Sequence, residues 1–203
     1  MPQTEMTCHS PATEQAPDGA TRIALIGSPN GGKTSIFNQL TGLHAKTGNY
    51  PGVTVSRSEG VARIHDHTFA IEDLPGTYSL SPISPDEQVV VDVLDGRMDQ
   101  VSAPDALVVV ADATALRRSL LLLAEVLPRH LPTAVVVTMT DELRRRQGSL
   151  DVTALSQALG VPVVAVVANR GIGIGELRNL LTTWHDWDRP PLDPPSRSSE
   201  LAG

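Results

Sequence analysis

The sequence predicts a three-layer α/β fold: a mostly parallel sheet with one antiparallel edge hairpin, covered by helices on both faces. Three observations carry this. Short β-branched runs at 22–26, 105–111, 133–138 and 161–167 alternate with helix-like segments, the pattern of parallel strands buried on both sides. Two strand-like pieces, "SEGVARIH" and "HTFAIED", meet at His65-Asp66-His67 with no room for a crossover helix, so they pair as a hairpin and make the sheet mixed. The stretch "GSPNGGKT", residues 27–34, stands between the apolar run 22–26 and a helix-like start at Ser35 to Leu40. Strand, glycine-rich turn and helix in that order form a phosphate-binding unit.

The remaining elements follow from caps, period and composition. Residues 1–20 lack apolar periodicity and residues 189–203 contain "RPPLDPPSRSSE"; both read as flexible tails around one domain at 21–188. In "SPDEQVVVDVL", Ser84 is placed to cap a helix with Pro85 in its first turn and acids following. "LRRSLLLLAEVL" reads as a helix buried over most of its surface, with Leu120 to Leu123 in the core. Lys and Arg total 16 against 23 Asp and Glu, a net charge of −7, and the one tight basic cluster is Arg144 to Arg146. Such a surface disfavours nucleic acid as a partner. The single cysteine, Cys8, can form no internal disulfide, which fits a reducing compartment. Neither a signal peptide nor a transmembrane segment is encoded, so the chain is expected to be soluble and cytoplasmic.

Gly27, Gly32, Lys33 and Thr34 satisfy G-x-x-x-x-G-K-[ST]. The glycines let backbone N–H groups wrap phosphates, the lysine neutralises β and γ oxygens, and the hydroxyl ligates Mg²⁺. Asn30, Gly31 and Ser35 complete the expected nucleotide contacts of this loop. At the end of the hairpin, Asp73-Leu74-Pro75-Gly76 supplies an acid able to hold the Mg²⁺ shell through water and a glycine N–H able to meet a γ-phosphate. The lysine loop, then a loop with Thr54 as a further Mg²⁺ ligand, then D-x-x-G is the order expected of a P-loop GTPase fold with two switch segments. Lys33, Asn30, Thr54 and Gly76 are the candidate catalytic set.

Base choice rests on Thr138-Met139-Thr140-Asp141, which stands where such proteins carry N-[KM]-x-D. An ionised Asp141 accepting from guanine N1 and N2 makes a charge-assisted pair that adenine cannot offer. The competing reading makes Asp141 the cap of a short helix starting at Glu142. With Thr138 in place of asparagine, guanine preference is expected to persist at reduced affinity. A fifth box falls at Val167-Ala168-Asn169, where Ala168 keeps its backbone N–H.

"GSPNGGKTSIFNQLTG", "KTGNYPGVTVSRSEG", "DLPGTYSLSPISPDE" and "VVVADATALRRSL" together resemble the N-terminal GTPase domain of the ferrous-iron transporter B (FeoB) family over about residues 22–182. The resemblance implies a GTP-hydrolysing switch that regulates Fe²⁺ uptake, here acting on a separate membrane permease at the inner face of the plasma membrane. It also implies activation by K⁺, held by Asn30 with the carbonyls of Gly48 and Tyr50, where other GTPases receive an arginine finger. The local chemistry agrees, because Thr77 follows Gly76 where Ras-like enzymes carry a water-positioning glutamine. Arg57, the nearest arginine to the first switch, is expected to have entered the hairpin and turned away.

Other features have plainer readings. His65-Asp66-His67 could present two imidazoles to Fe²⁺ but suits a solvated hairpin tip, and His44 is weighed alike. Trp184 and Trp187, flanking His185, are expected to anchor the last helix, and Arg144 to Arg146 to form an exposed helix face. Two further functions remain open: a degenerate guanine-nucleotide-binding scaffold, suggested by the altered fourth and fifth boxes, and a ribosome-assembly GTPase, opposed by the acidic charge.

Overall fold

The computed structural model describes residues 16–17, 19–43 and 45–187, so Cys8, His44 and most of both expected tails lie outside the described residues. Among the described residues seven strands form one sheet: β1 (Thr21–Gly27), β2 (Ala45–Asn49), β3 (Ser56–Ile64), β4 (His67–Asp73), β5 (Ala106–Asp112), β6 (Thr133–Thr138) and β7 (Val163–Ala165), in the order β2-β3-β4-β1-β5-β6-β7. The strands β4, β1, β5, β6 and β7 run parallel, while β3 lies antiparallel to both β4 and β2. Antiparallel pairing thus extends one strand beyond the expected hairpin.

Among the described residues six α-helices flank the sheet: α1 (Lys33–Thr41), α2 (Pro85–Leu94), α3 (Leu116–Val126), α4 (Thr140–Arg145), α5 (Val152–Leu159) and α6 (Ile174–Thr182). Strand alternation sorts them into two layers. On β1, Ile23 and Leu25 face a core with Phe37 and Leu40 of α1, Leu177 and Leu181 of α6, and Trp187. Ala24 and Ile26 face the opposite core, with Val90 of α2 and Leu122 and Leu123 of α3. Each fully buried Leu or Ile contributes about 1.5–3 kcal/mol, so these two faces supply most of the drive to fold.

Local chemistry sets the helix ends. The Ser84 hydroxyl accepts from the Glu87 N–H at 3.3 Å, with Pro85 opening α2 and Asp86 and Glu87 in its first turn, as its sequence predicts. The α3 expectation is corrected in part: Leu122 and Leu123 are buried, but Leu121 is 61% exposed, because four successive leucines span more than the face a helix can bury. Trp187 is buried and its indole N–H donates to the Leu180 carbonyl at 3.2 Å, fastening the end of α6. Arg145 at the end of α4 and Arg146, its C-cap, are exposed and pair with Glu142.

The phosphate loop leaves β1 between β4 and β5. Since α1 and α2 leave β1 and β4 on opposite faces, a crevice opens at the strands' carboxyl ends, where ligands bind in such folds.

Candidate nucleotide site

Backbone conformation shapes the loop. Asn30 at φ 63° and Gly32 at φ 89° turn the chain from β1 into α1, whose N-terminus has no side-chain cap. The first N–H groups of α1 are therefore left for an anion. A Cβ at Gly27 would come 2.5 Å from the Val110 carbonyl oxygen, so strand β5 lies against the loop's first residue.

Around the loop three functional groups meet. Lys33, buried at 8% exposure, is ion-paired through its ammonium to Asp73, and the Thr34 hydroxyl donates to the other Asp73 oxygen at 2.8 Å. Residues 39 apart or more are thus gathered because β1 and β4 are neighbours, with Leu25 opposite Asp73. Two backbone bonds continue the alignment, from the Leu74 N–H to the Leu25 carbonyl at 3.2 Å and from the Thr77 N–H to the Gly27 carbonyl at 3.0 Å. Gly76 then lies flat on Pro29: a Cβ there would be 2.8 Å from Pro29 Cγ and 3.0 Å from its Cα. A hydroxyl and a carboxylate side by side are hard oxygen donors that fit Mg²⁺.

Thr138, at the end of β6, reaches the phosphate loop. Its hydroxyl donates to the Gly31 carbonyl at 2.7 Å and lies 3.2 Å from the Ala111 carbonyl, and the side chain is buried. The Thr138 hydroxyl thus ties the end of β6 to the phosphate loop. Asp141 sits in the first turn of α4, which starts at Thr140 after Met139 at φ 56°, so it does not cap that helix. Its carboxylate is 24% exposed and lies 3.4 Å from Arg145. Ala168, 8% exposed, opens a 3-10 turn at Ala168–Arg170.

The first-switch residues are placed differently from the loop. Gly48 lies in β2 opposite Arg57, and the Tyr50 carbonyl accepts from the Val53 N–H at 3.3 Å in a turn. Thr54 is exposed beside Val53 and Pro85. Asn30 and Ser35 are exposed. Thr77 is fully buried, its hydroxyl donating to the Ser79 carbonyl at 2.5 Å. Among the described residues no group of three His, Cys, Asp or Glu is arranged to hold a metal; His65 meets Asn179 at 3.3 Å and His67 stacks near Phe69.

Beneath the first switch lies a polar network that the sequence did not reveal. Buried Glu72 accepts from the Tyr50 hydroxyl and from Arg57 Nε, each at 2.9 Å, while Arg57 also pairs with Glu59 at 2.7 Å and Arg22 lies 3.6 Å from both acids. Arg57 is consumed here, as its position after Thr54 suggested. Burial alone would lower its pKa, but Glu72 and Glu59 outweigh that and hold it above the ordinary value. Burial, with Glu72 adding to it, pushes the Tyr50 hydroxyl well above the ordinary phenol range.

That shift has a sign. Above about pH 10 the unfolded phenol releases its proton and the folded one does not, so stability falls as pH rises through that range. Tyr50→Phe is expected to cost about 2 kcal/mol near neutrality, because Glu72 loses a donor, and to flatten the alkaline decline. Chemical denaturation at pH 7 and pH 10.5 measures both; equal stability of the two proteins at pH 7 would remove the hydrogen bond from the account.

A glycine-rich loop between a central strand and a helix, its lysine and threonine on the acid of D-x-x-G, defines a G domain of the P-loop GTPase fold. The family model described as Ferrous iron transport protein B matches residues 21–181, and the chain belongs to that family. It is 42% identical over 174 residues to an Fe(2+) transport protein A/Fe(2+) transporter FeoB fusion protein of Porphyromonas gingivalis, covering 85% of this chain and 20% of the relative. The chain thus spans about a fifth of the length of the curated relatives it matches. The crystal structure of the G domain of the T. maritima FeoB iron transporter superposes with a TM-score of 0.74 at 38% identity, covering 82% of this chain and 99% of that one. The cytosolic domain of the same transporter in a GMPPNP form gives 0.77 at 36% identity, covering 85% and 68%.

Proposed function

We propose that this chain binds GTP and hydrolyses it to GDP and phosphate, and that the exchange moves two switch segments that regulate Fe²⁺ uptake through a membrane permease. The single observation that carries this is the cluster of Lys33, Thr34 and Asp73 at the adjoining ends of β1 and β4. In the nucleotide-bound protein, Lys33 would exchange Asp73 for phosphate oxygens, the N–H groups opening α1 would bind the same anion, and Asp141 would take guanine N1 and N2. Thr34, Thr54 and, through water, Asp73 would hold Mg²⁺, which neutralises charge on the β and γ phosphates. Related structures in GDP and GMPPNP forms support the ligand class.

Thr77 is buried and Arg57 is spent in its network, so beyond Lys33 neither adds charge to the transferring phosphoryl group. Asn30, exposed on the loop, fits a monovalent cation with its neutral amide oxygen, aided by the Gly48 and Tyr50 carbonyls once the first switch closes. K⁺ bound there would add the missing charge. None of the described helices is long and apolar enough to cross a membrane, so the permease belongs to another chain or another segment.

Phosphate release measured in K⁺ and in Na⁺ at constant ionic strength tests this. K⁺ is expected to raise turnover on the order of a hundredfold, as one well-placed electrostatic donor does, and Asn30→Ala to remove the rise while GTP still binds. GTP binding without turnover in either salt would leave a regulatory binding module instead. Absence of guanine-nucleotide binding would overturn the proposal.

A further inference from the structure

The last turns of α1 reach the base-reading loop. Gln39 Nε2 donates to the Ala168 carbonyl at 3.0 Å, across 129 residues of chain. Gln39 stands six residues after Lys33 on the same helix. One rigid element therefore touches the phosphate site at its first turn and the fifth box near its last. A second contact fixes the same end of α1, because Arg178 Nη2 of α6 reaches the Gln39 carbonyl at 3.3 Å.

The peptide groups around Ala168 show what this bond controls. The Val167 N–H donates to the Ile172 carbonyl at 2.9 Å, and the Val167 carbonyl accepts from the Arg170 N–H at 3.0 Å. A trans peptide places its N–H opposite its carbonyl, so the Ala168 N–H points away from Arg170, out of the turn. On its other side, the Ala168 carbonyl is held by the Gly171 N–H at 3.2 Å and by Gln39. Peptide groups on both sides of the donor are thus pinned, one by the turn and one by α1. The loop has little slack besides: a Cβ on Gly173 would lie 2.1 Å from the Ala165 carbonyl oxygen.

We propose that Gln39 is a positioning residue for guanine recognition: it orients the Ala168 N–H toward the one acceptor on the guanine edge that Asp141 leaves unread, the O6 oxygen. The inference rests on the proposed guanine site. It assigns to α1 a second duty, setting how long the base is held as well as where the phosphates lie. Loss of the Gln39 bond leaves the Ala168–Asn169 peptide held by the Gly171 N–H alone and loosens the aim of the neighbouring donor.

Fluorescent GDP release and equilibrium binding on the whole chain test this with Gln39→Leu, which cannot donate, and Gln39→Glu, which sets a carboxylate against the carbonyl. Release is expected to quicken about fivefold in the first, the effect of one neutral hydrogen bond, and further in the second. The decisive readout is 6-thioguanosine diphosphate, which keeps the N1–H and the N2 amine taken by Asp141 and replaces O6 with a poor acceptor. Its affinity should be the same in wild type and Gln39→Leu, while that for GDP weakens about fivefold. Equal weakening of both nucleotides would make Gln39 a general brace and overturn the assignment, as would unchanged GDP release in both variants. If wild type bound no guanine nucleotide, the site proposal would fall first and this one with it.

Discussion

Lys33→Ala is expected to lower affinity for GTP and GDP by about two to three orders of magnitude, the effect of leaving a buried charge without its partner. Two losses combine. The phosphates lose the one ammonium on the loop, and in the nucleotide-free protein Asp73, whose side chain is only 8% exposed, loses its ion pair and keeps the Thr34 hydroxyl. The second effect operates even without nucleotide, so the variant should also melt at a lower temperature. Titration calorimetry reads the first loss and thermal unfolding the second. Affinity equal to wild type would mean that phosphates bind elsewhere.

The second large effect is expected from Gly76→Ala. Its new methyl would meet the backbone and ring of Pro29, and neither side can yield easily. Leu74 and Thr77, on either side of Gly76, are tied to Leu25 and Gly27 of β1, so the segment cannot retreat without breaking a backbone bond. Turnover of GTP should fall at least a hundredfold through loss of the γ-phosphate contact, on the scale of removing one oxyanion donor, while GDP still binds. Gly175→Ala is the control: a Cβ there meets nothing within 4 Å, and the helix should gain about 0.5–1 kcal/mol. Turnover unchanged in Gly76→Ala would show that the two loops part before hydrolysis.

These two residues lay in motifs, and they were legible because phosphate chemistry constrains both residue type and spacing. The cap at Ser84 and the hairpin turn at His65-Asp66 were legible for a similar reason, since local hydrogen bonding and chain direction leave few choices. β2 was not. Its residues "AKTGN" are intermediate or exposed throughout, so no burial imposes alternation, and Gly and Asn are poor strand formers. Leu121 misled because four successive leucines hide which one faces water. The network of Tyr50, Arg57, Glu59 and Glu72 joins strands through side chains whose meeting depends on register, which the sequence does not spell out. Gln39 carried no signal, as a glutamine on a helix has many uses. Thr138 was visible, but its value lay in the 2.7 Å to Gly31, a distance that only folding sets.

β2 closes one margin of the sheet with four of its five residues in water. It is sewn to the molecule by backbone pairing with β3, and by Tyr50 as a knot at its end. Lifting it gives up ladder hydrogen bonds of about 0.5–1.5 kcal/mol each, which water largely replaces, and uncovers little of the apolar interior. Such a margin behaves as a seam that can be unpicked while the cloth stays whole. Changes of shape at residues 45–49 are thereby insulated from unfolding, and the core can stay rigid while its border is rewritten.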